Sequence, residues 1–181
     1  TNAPGGADAV TFVTTGAHPH LEIQCQNGSP TNILWHWGDG RIDRGTWTAD
    51  RDFGAPGVWT NYVEVQPPAA VTWFGAAQYS TGQGIRAVYN PSNFPALNFL
   101  YLYLQGLEEL SIAGCTNLTQ LHFAGNPVAT AVCDQWFLDL DAAVAGPVVN
   151  ADFYYPAGTP SAASAAARAS LAAKGYTLHP F

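Results

Sequence analysis

Over the first third of the chain the apolar positions alternate with polar ones. VTFVT (10–14) and LEIQC (21–25) carry β-branched and aromatic residues at a period of two, which predicts half-buried strands. ILWHWGDG (33–40) places Ile33, Trp35 and Trp37 on one face and then turns at Gly38-Asp39-Gly40. GVWTNYVEV (57–65) sets Val58, Thr60, Tyr62 and Glu64 against Trp59, Asn61, Val63 and Val65. Gln66-Pro67-Pro68 ends the alternation and predicts a boundary between two lobes. On that view strands 58–65 and 85–89 should not share a sheet. VTWF (71–74) and IRAVY (85–89) follow as irregular entry strands.

From Leu97 the pattern becomes a repeat: LNFLYLYLQ, LEELSIAGC, LTQLHFAGN. Each copy is L-x-x-L-x-[LIF], and the triplets align as Leu97-Leu100-Leu102, Leu107-Leu110-Ile112 and Leu118-Leu121-Phe123. Eight places after each start stand Gln105, Cys115 and Asn126, suited to bonding backbone groups in a turn. A short strand with three inward apolar side chains, closed by such a residue, is the unit of a leucine-rich solenoid, and it buries its face only by stacking. A full coil takes roughly 20 residues or more, so each copy predicts half a coil. Segment 97–102 should stack on 118–123, and 107–112 on 85–89. The outward positions are then Phe99, Tyr101 and Tyr103 beside Gln120, His122 and Ala124 on one face, with Glu109, Ser111 and Ala113 on the other.

The period then shifts to that of a helix. In PVATAVCDQWFLDLDAAVAG (127–146), apolar residues at 132, 133, 136, 137, 140 and 144 form one stripe, with Thr130 as the expected N-cap and Gly146 as the stop. PVVNADFYY (147–155) reads as a strand. GTPSAASAAARASLAAKG (158–175) reads as a second helix, with Thr159 as N-cap, Pro160 in the first turn and Gly175 just past the end. YTLHPF closes as a last strand.

Two resemblances follow from these motifs. WHWGDG (35–40) and FGAPGVWTNYVEV (53–65) are similar to the W-x-F-G-D-G and F-x-x-P-G-x-Y-x-V-x-V signatures of the PKD-type family of immunoglobulin-like β-sandwiches, with Trp59 where that family has Tyr. The order of repeats, Asp-rich helix, strand and T-P-S-A-A-S-x-A-A-R-A-x-L-x-x-K-G-Y-T-L resembles the C-terminal cap of short leucine-rich-repeat proteins of phage virions and some bacteria. There it follows a PKD- or immunoglobulin-like domain. The resemblances imply a mainly β fold with α: a flexible arm at 1–7, a PKD/Ig-like β-sandwich at 8–68, and a short leucine-rich α/β solenoid with a helix-strand-helix-strand cap at 69–181. They imply structural or adhesive roles and no catalytic residues.

Composition narrows the function. The 181 residues are 48% apolar, enough for a real core. No run approaches the ~18 apolar residues of a membrane span. Thirteen acids against six Lys and Arg give a net charge of −7, which argues against nucleic acid as a partner. Charged residues make up only 10%, against about 25% in an average chain, a surface suited to an assembly. Three cysteines at unrelated spacings make neither a disulfide framework nor a zinc pattern, and Cys115 reads as a buried repeat residue. The chain has no Met, so Thr1 is expected to follow a removed initiator or to lie within a longer product. No signal-peptide pattern precedes the first strand.

Candidate chemistry is sparse. His18 and His20 flank Pro19, and two ligands do not make a metal site. Asp39 and Asp43 are too few oxygens for calcium. Trp35, Trp37 and Trp59 fall on core-facing positions and Trp73 on an entry strand, which leaves Trp47 as the tryptophan best placed for contact. Asp134, Asp139 and Asp141 read as a solvated helix face. No nucleophile elbow, zincin, P-loop or dinucleotide motif occurs. The expectation is a non-enzymatic structural or decoration protein of a phage-like virion, without cofactor or metal. Its binding surface would comprise Phe99, Tyr101, Tyr103, Gln120, His122 and Trp47. Its partners would be other virion subunits, itself, or a host surface glycan or protein. The alternative is a secreted bacterial adhesion or carbohydrate-binding module at the cell surface.

Overall fold

The computed structural model describes residues 9–15, 19–25, 32–45, 47–76, 84–156 and 160–181. It is mainly β with two helices. The strands are β1 (Ala9–Thr14), β2 (His20–Cys25), β3 (Asn32–His36), β4 (Ile42–Arg44), β5 (Thr48–Asp50), β6 (Trp59–Gln66), β7 (Val71–Ala76), β8 (Ile85–Tyr89), β9 (Phe99–Tyr101), β10 (Glu109–Leu110), β11 (Gln120–His122), β12 (Ala151–Tyr155) and β13 (Tyr176–Pro180). The helices are α1 (Thr130–Ala143) and α2 (Ala165–Lys174). One sheet runs β10-β8-β1-β6-β3-β4, the other β13-β12-β11-β9-β7-β2-β5.

The alternating N-terminal strands bury one side. Val10, Phe12, Trp35, Val63 and Val65 of the first sheet and Leu21, Ile23 and Phe74 of the second are fully buried. Phe12 meets Phe74 across the two sheets at 6.4 Å and Trp35 edge-on at 6.3 Å. A fully buried Val, Leu or Phe contributes roughly 1.5–3 kcal/mol. Asn61 is the exception on the inward face of β6. It is fully buried, accepts a bond from Gly38 N–H (2.9 Å) and donates to Thr14 Oγ1 (3.2 Å), which ties the Gly38 turn to β1 and β6.

Strand pairing crosses the expected boundary at Pro67-Pro68. β1 lies between β6 and β8, with Phe12 opposite Val88. β2 pairs with β7, with Ile23 opposite Phe74. Strands 59–66 and 85–89 therefore share a sheet, contrary to the separation expected from the proline pair. One hydrophobic cluster holds residues from both sides of the junction. The physical reason is that stacked repeats expose an apolar end that must be covered, and a segment of about sixty residues has only a marginal core of its own. Each supplies the other's missing neighbour.

The repeats stack in the expected register. β9 and β11 pair in parallel with Leu100 opposite Leu121, and β8 and β10 in parallel with Val88 opposite Leu110. All three triplets point inward, from Leu97 (1% exposed) to Phe123 (0%), with Leu110 the most exposed at 7%. Gln105, Cys115 and Asn126 are buried too. Gly75 permits the close fit of β7 to β9, since a Cβ there would run into the Tyr101 carbonyl.

Beyond Phe123 the second sheet continues through β12 and β13, while helices take the places where the first sheet would add strands. α1 buries Cys133, Trp136, Phe137 and Leu140, the expected stripe. Its N-cap is Ala129, without a side-chain bond, rather than Thr130, and it ends at Ala143 before reaching Gly146. β12 begins at Ala151, so 147–150 of the expected strand is not extended pairing. Thr159 lies outside the described residues. Ser161 caps the short turn ahead of α2, accepting from Ala163 N–H, and Gly175 closes α2 at φ 105° as expected.

Of the α1 aspartates expected on a solvated face, Asp139 meets only Gln135 of its own helix at an exposed site, while Asp134 and Asp141 are engaged by the second helix and the turn ahead of it. Asp134 is buried and accepts bonds from Ser161 N–H (2.8 Å), Ser161 Oγ (2.5 Å) and Ser164 Oγ (2.5 Å), fastening the start of α2 to α1. Asp141 pairs with Lys174 at 2.6 Å. Both sheets end on guarded edges. β10, β4 and β5 are two or three residues long. On β13, Phe181 N–H donates to Tyr155 O, so by alternation the nitrogen of Pro180 faces away from β12 and removes a donor from the open edge.

Candidate binding face

Parallel pairing at matched register puts like positions side by side across the second sheet. Leu100, Leu121 and Phe153 of β9, β11 and β12 face inward and are fully buried. Their neighbours face out in two rows. One row is Trp73, Phe99, Gln120, Asp152 and Thr177; the other is Gly75, Tyr101, His122, Tyr154 and His179.

The rings of these rows stack on one another. Centroid separations are 5.9 Å for Trp73–Phe99, 5.3 Å for Phe99–His122, 5.0 Å for Tyr101–His122, 4.4 Å for His122–Tyr154 and 4.2 Å for Tyr154–His179. All are within 29° of coplanar orientation. The separations match the ~4.8 Å between strands, so the rings stand upright on the sheet, face against face. Phe99, His122 and Tyr154 have rings on both sides, so what these three offer outward is their edges. Each cross-strand pair contributes roughly 0.2–1 kcal/mol. Tyr103 and Phe181 extend the patch beyond the strands, 6.1 Å apart and edge to face, and Phe181 is 66% exposed.

A small polar group interrupts the aromatic surface. Asp152 accepts from Gln120 Nε2 (3.1 Å) and pairs with His179 Nε2 (2.8 Å). The His179 bond, then the Gln120 bond, holds the Asp152 carboxyl below its ordinary range. Burial in the stack lowers the His122 pKa, and nearby Asp152 offsets this only in part. His122 is thus neutral in the folded protein at pH values where the unfolded chain already charges it. As pH falls through about 6.5, the unfolded state takes up the proton first, so stability declines from there down to the folded pKa. A urea series between about pH 5 and 7.5 should show this decline in the native protein. It should be reduced in His122→Phe, which keeps a ring in the stack; parallel curves would show that His122 does not set it.

Of the residues expected to bind, Phe99, Tyr101, Tyr103, Gln120 and His122 come together on this face. Ala124 does not; it is 2% exposed because the strand ends at His122 and the chain turns. Trp47 lies apart. It precedes β5, the opposite edge of the sheet, is half-buried, and its carbonyl accepts from Ile23 N–H (2.9 Å). Sequence reasoning missed the part played by Trp73, Asp152, Tyr154 and His179. ADFYY and YTLHP lack the leucine triplet, but their alternation carries the signal. On the other face Glu109, Ser111 and Ala113 are exposed as expected.

The remaining candidates are engaged structurally. Arg51 bonds the Asp39 carboxylate, and Asp43 accepts from Trp37 Nε1 at 2.7 Å. Trp35 and Trp37 are core, while Trp59 is half-buried and stacks on Phe53 at 4.4 Å. His18 and the side chain of His20 lie outside the described residues. Among the described residues no group of three His, Cys, Asp or Glu is placed to hold a metal ion. Among the described residues no helix is long and apolar enough to cross a membrane. No protein-family model, curated protein or solved structure matches the chain.

Proposed function

We propose that this protein is a non-enzymatic structural or decoration subunit of a phage-like virion, docking onto other subunits through the outer face of its seven-stranded sheet. The observation that carries the reading is the ring ladder from Trp73 to His179 with its Asp152–Gln120 centre. Lys and Arg are absent from both rows, and the side chains are stacked against each other. Pre-ordering of this kind lowers the entropic cost of association, and aromatic residues are enriched at protein contacts. The finer fold assignment is part of the proposal: a PKD-type N-terminal domain fused to a short leucine-rich solenoid. It is supported by the WHWGDG turn held by Asn61 and by the parallel stacking of Leu100 on Leu121.

The alternative, a secreted adhesion or carbohydrate-binding module, draws less support from the same surface. Sugar rings stack on open aromatic faces, and here Phe99, His122 and Tyr154 each stand between neighbouring rings. Trp47 is half-buried at the far edge. The test is incorporation of Tyr101→Ala and Tyr103→Ala variants into particles at low and high salt. Each should weaken attachment by ~1–3 kcal/mol if it is a hot spot, with little salt dependence, since the contacts are not ionic. Unchanged attachment in both would sink the assignment of this face. Binding of the intact protein to a glycan array, lost in the same variants, would favour the alternative.

A further inference from the structure

Two rings of the ladder can take up a proton, and the fold treats them differently. His179, at the end of the ladder, sets Nε2 against Asp152 Oδ1 at 2.8 Å. His122 stands at the centre, with Phe99 and Tyr101 of β9 on one side at 5.3 and 5.0 Å and Tyr154 of β12 on the other at 4.4 Å. It is half-buried, and its ring nitrogens form no hydrogen bond with the described residues. Asp152 is the one acid in the two rows. Its Oδ1 meets His179 and its Oδ2 takes Gln120 Nε2 at 3.1 Å, so both oxygens are engaged elsewhere.

Among the described residues, the titratable groups facing His122 are therefore few. β9 brings the phenol of Tyr101, β12 brings Asp152 and the phenol of Tyr154, and β13 brings His179 beyond them. Burial among the rings opposes a charge on His122 most strongly; Asp152 favours it, and a charged His179 opposes it. A partner seated on this face removes the water that meets the edge of the His122 ring. A neutral imidazole loses little in that step. An imidazolium loses far more, because no carboxylate stands ready to replace the water.

We infer that docking through this face is released by acid, with His122 as the group whose protonation releases it. The inference rests on the reading of the face as a docking surface. The docked state holds the ring neutral and so binds the proton more weakly than the free protein does. By reciprocity the proton weakens docking by the same factor. Attachment is full while His122 is neutral in the free protein, and it falls by up to about tenfold per pH unit once that ring begins to charge. Because burial lowers the pKa of His122, the fall begins below the ordinary histidine value of about 6.5.

The test measures attachment of the intact protein to particles assembled without it, at steps between about pH 7.5 and pH 5, beside an NMR titration of the His122 imidazole in the free protein. Attachment is expected to fall roughly threefold to tenfold over that range, with a midpoint that follows the imidazole, while circular dichroism shows the protein folded throughout. In His122→Gln and His122→Phe, neither of which can charge, attachment should be flat across the same range, whatever its level at the upper end. His179→Gln, which keeps a donor for Asp152, should still respond to acid. Should neither His122 variant attach, the agreement of the two midpoints in the native protein decides. The inference is overturned by flat attachment in the native protein, by a midpoint away from that of the imidazole, by an acid response that persists in either His122 variant, or by its disappearance in His179→Gln. If native attachment is flat yet weakened by Tyr101→Ala, the docking face stands and only its control by acid is lost. If Tyr101→Ala and Tyr103→Ala change nothing, both fall.

Discussion

Asn126→Ala is expected to lower the unfolding free energy by roughly 3–5 kcal/mol, among the largest effects of any polar substitution in this chain. Asn126 is 5% exposed and its carboxamide spans two stacked units. Its Oδ1 accepts from Gln105 N–H and Leu107 N–H, both at 3.0 Å, and its Nδ2 donates to Leu102 O at 2.6 Å and Phe123 O at 2.7 Å. Alanine removes all four of these bonds from a buried turn. Each unmet group costs about 1–3 kcal/mol before relaxation and water entry recover part of it. Asn126→Asp keeps the acceptor but loses both donations and buries a charge, so it should be at least as damaging. Urea denaturation of the two variants decides the matter. A loss below about 1 kcal/mol in both would mean that water replaces the carboxamide without penalty.

The stacking of the repeats was legible because its period is set by the chain itself. Three apolar side chains at i, i+3 and i+5 can reach one core only from a short strand entering a turn, and the spacing of Leu100 and Leu121 then dictates which strands lie side by side. The same holds for Asn61, Val63 and Val65, where a period of two fixes the inward face of β6. The way the two halves share sheets was not legible. Pro67 and Pro68 announce a break in hydrogen bonding at one point of the chain. They say nothing about β1, fifty residues earlier, taking β8 as its second neighbour.

The aromatic face was half legible for a related reason. Phe99, Tyr101 and His122 sit within the repeat, so their outward direction follows from the leucines beside them. Tyr154 and His179 sit in strands reached only after a helix, where the repeat period no longer applies. Nothing local fixes their register against His122, which depends on how α1 and α2 pack. Asp134 shows the limit from the polar side. On a helical wheel it belongs to a hydrated face, and only the return of Ser161 and Ser164 in the tertiary structure buries it. Exposure is a property of neighbours, and distant neighbours are not in the wheel.

Leu121→Ala is expected to cost about 2–5 kcal/mol, toward the upper end, and Leu110→Ala toward the lower end of the same range. Both leucines are the middle member of their triplet, so the chemistry removed is identical and the difference lies in surroundings. Leu121 is fully buried, with Leu100 on one side and Phe153 on the other across two ladders. The cavity left there is fenced by strands that cannot close without losing hydrogen bonds. Leu110 is 7% exposed, belongs to an edge strand, and already borders the open seam between β10 and α1, beside Val132. Its neighbours on α1 can move in, although Trp136 Nε1 still bonds its carbonyl (3.1 Å) and limits the shift. Ser111, one residue on, points to solvent and should change stability by no more than ~0.5 kcal/mol when replaced by Ala. Chemical denaturation of the three variants gives a strict order: Leu121 above Leu110, and Leu110 well above Ser111. Near-neutral values at both leucines would mean that the triplets do not carry the core. A larger loss at Leu110 than at Leu121 would mean that the seam, rather than the stacked parallel strands, is the less forgiving part of the fold.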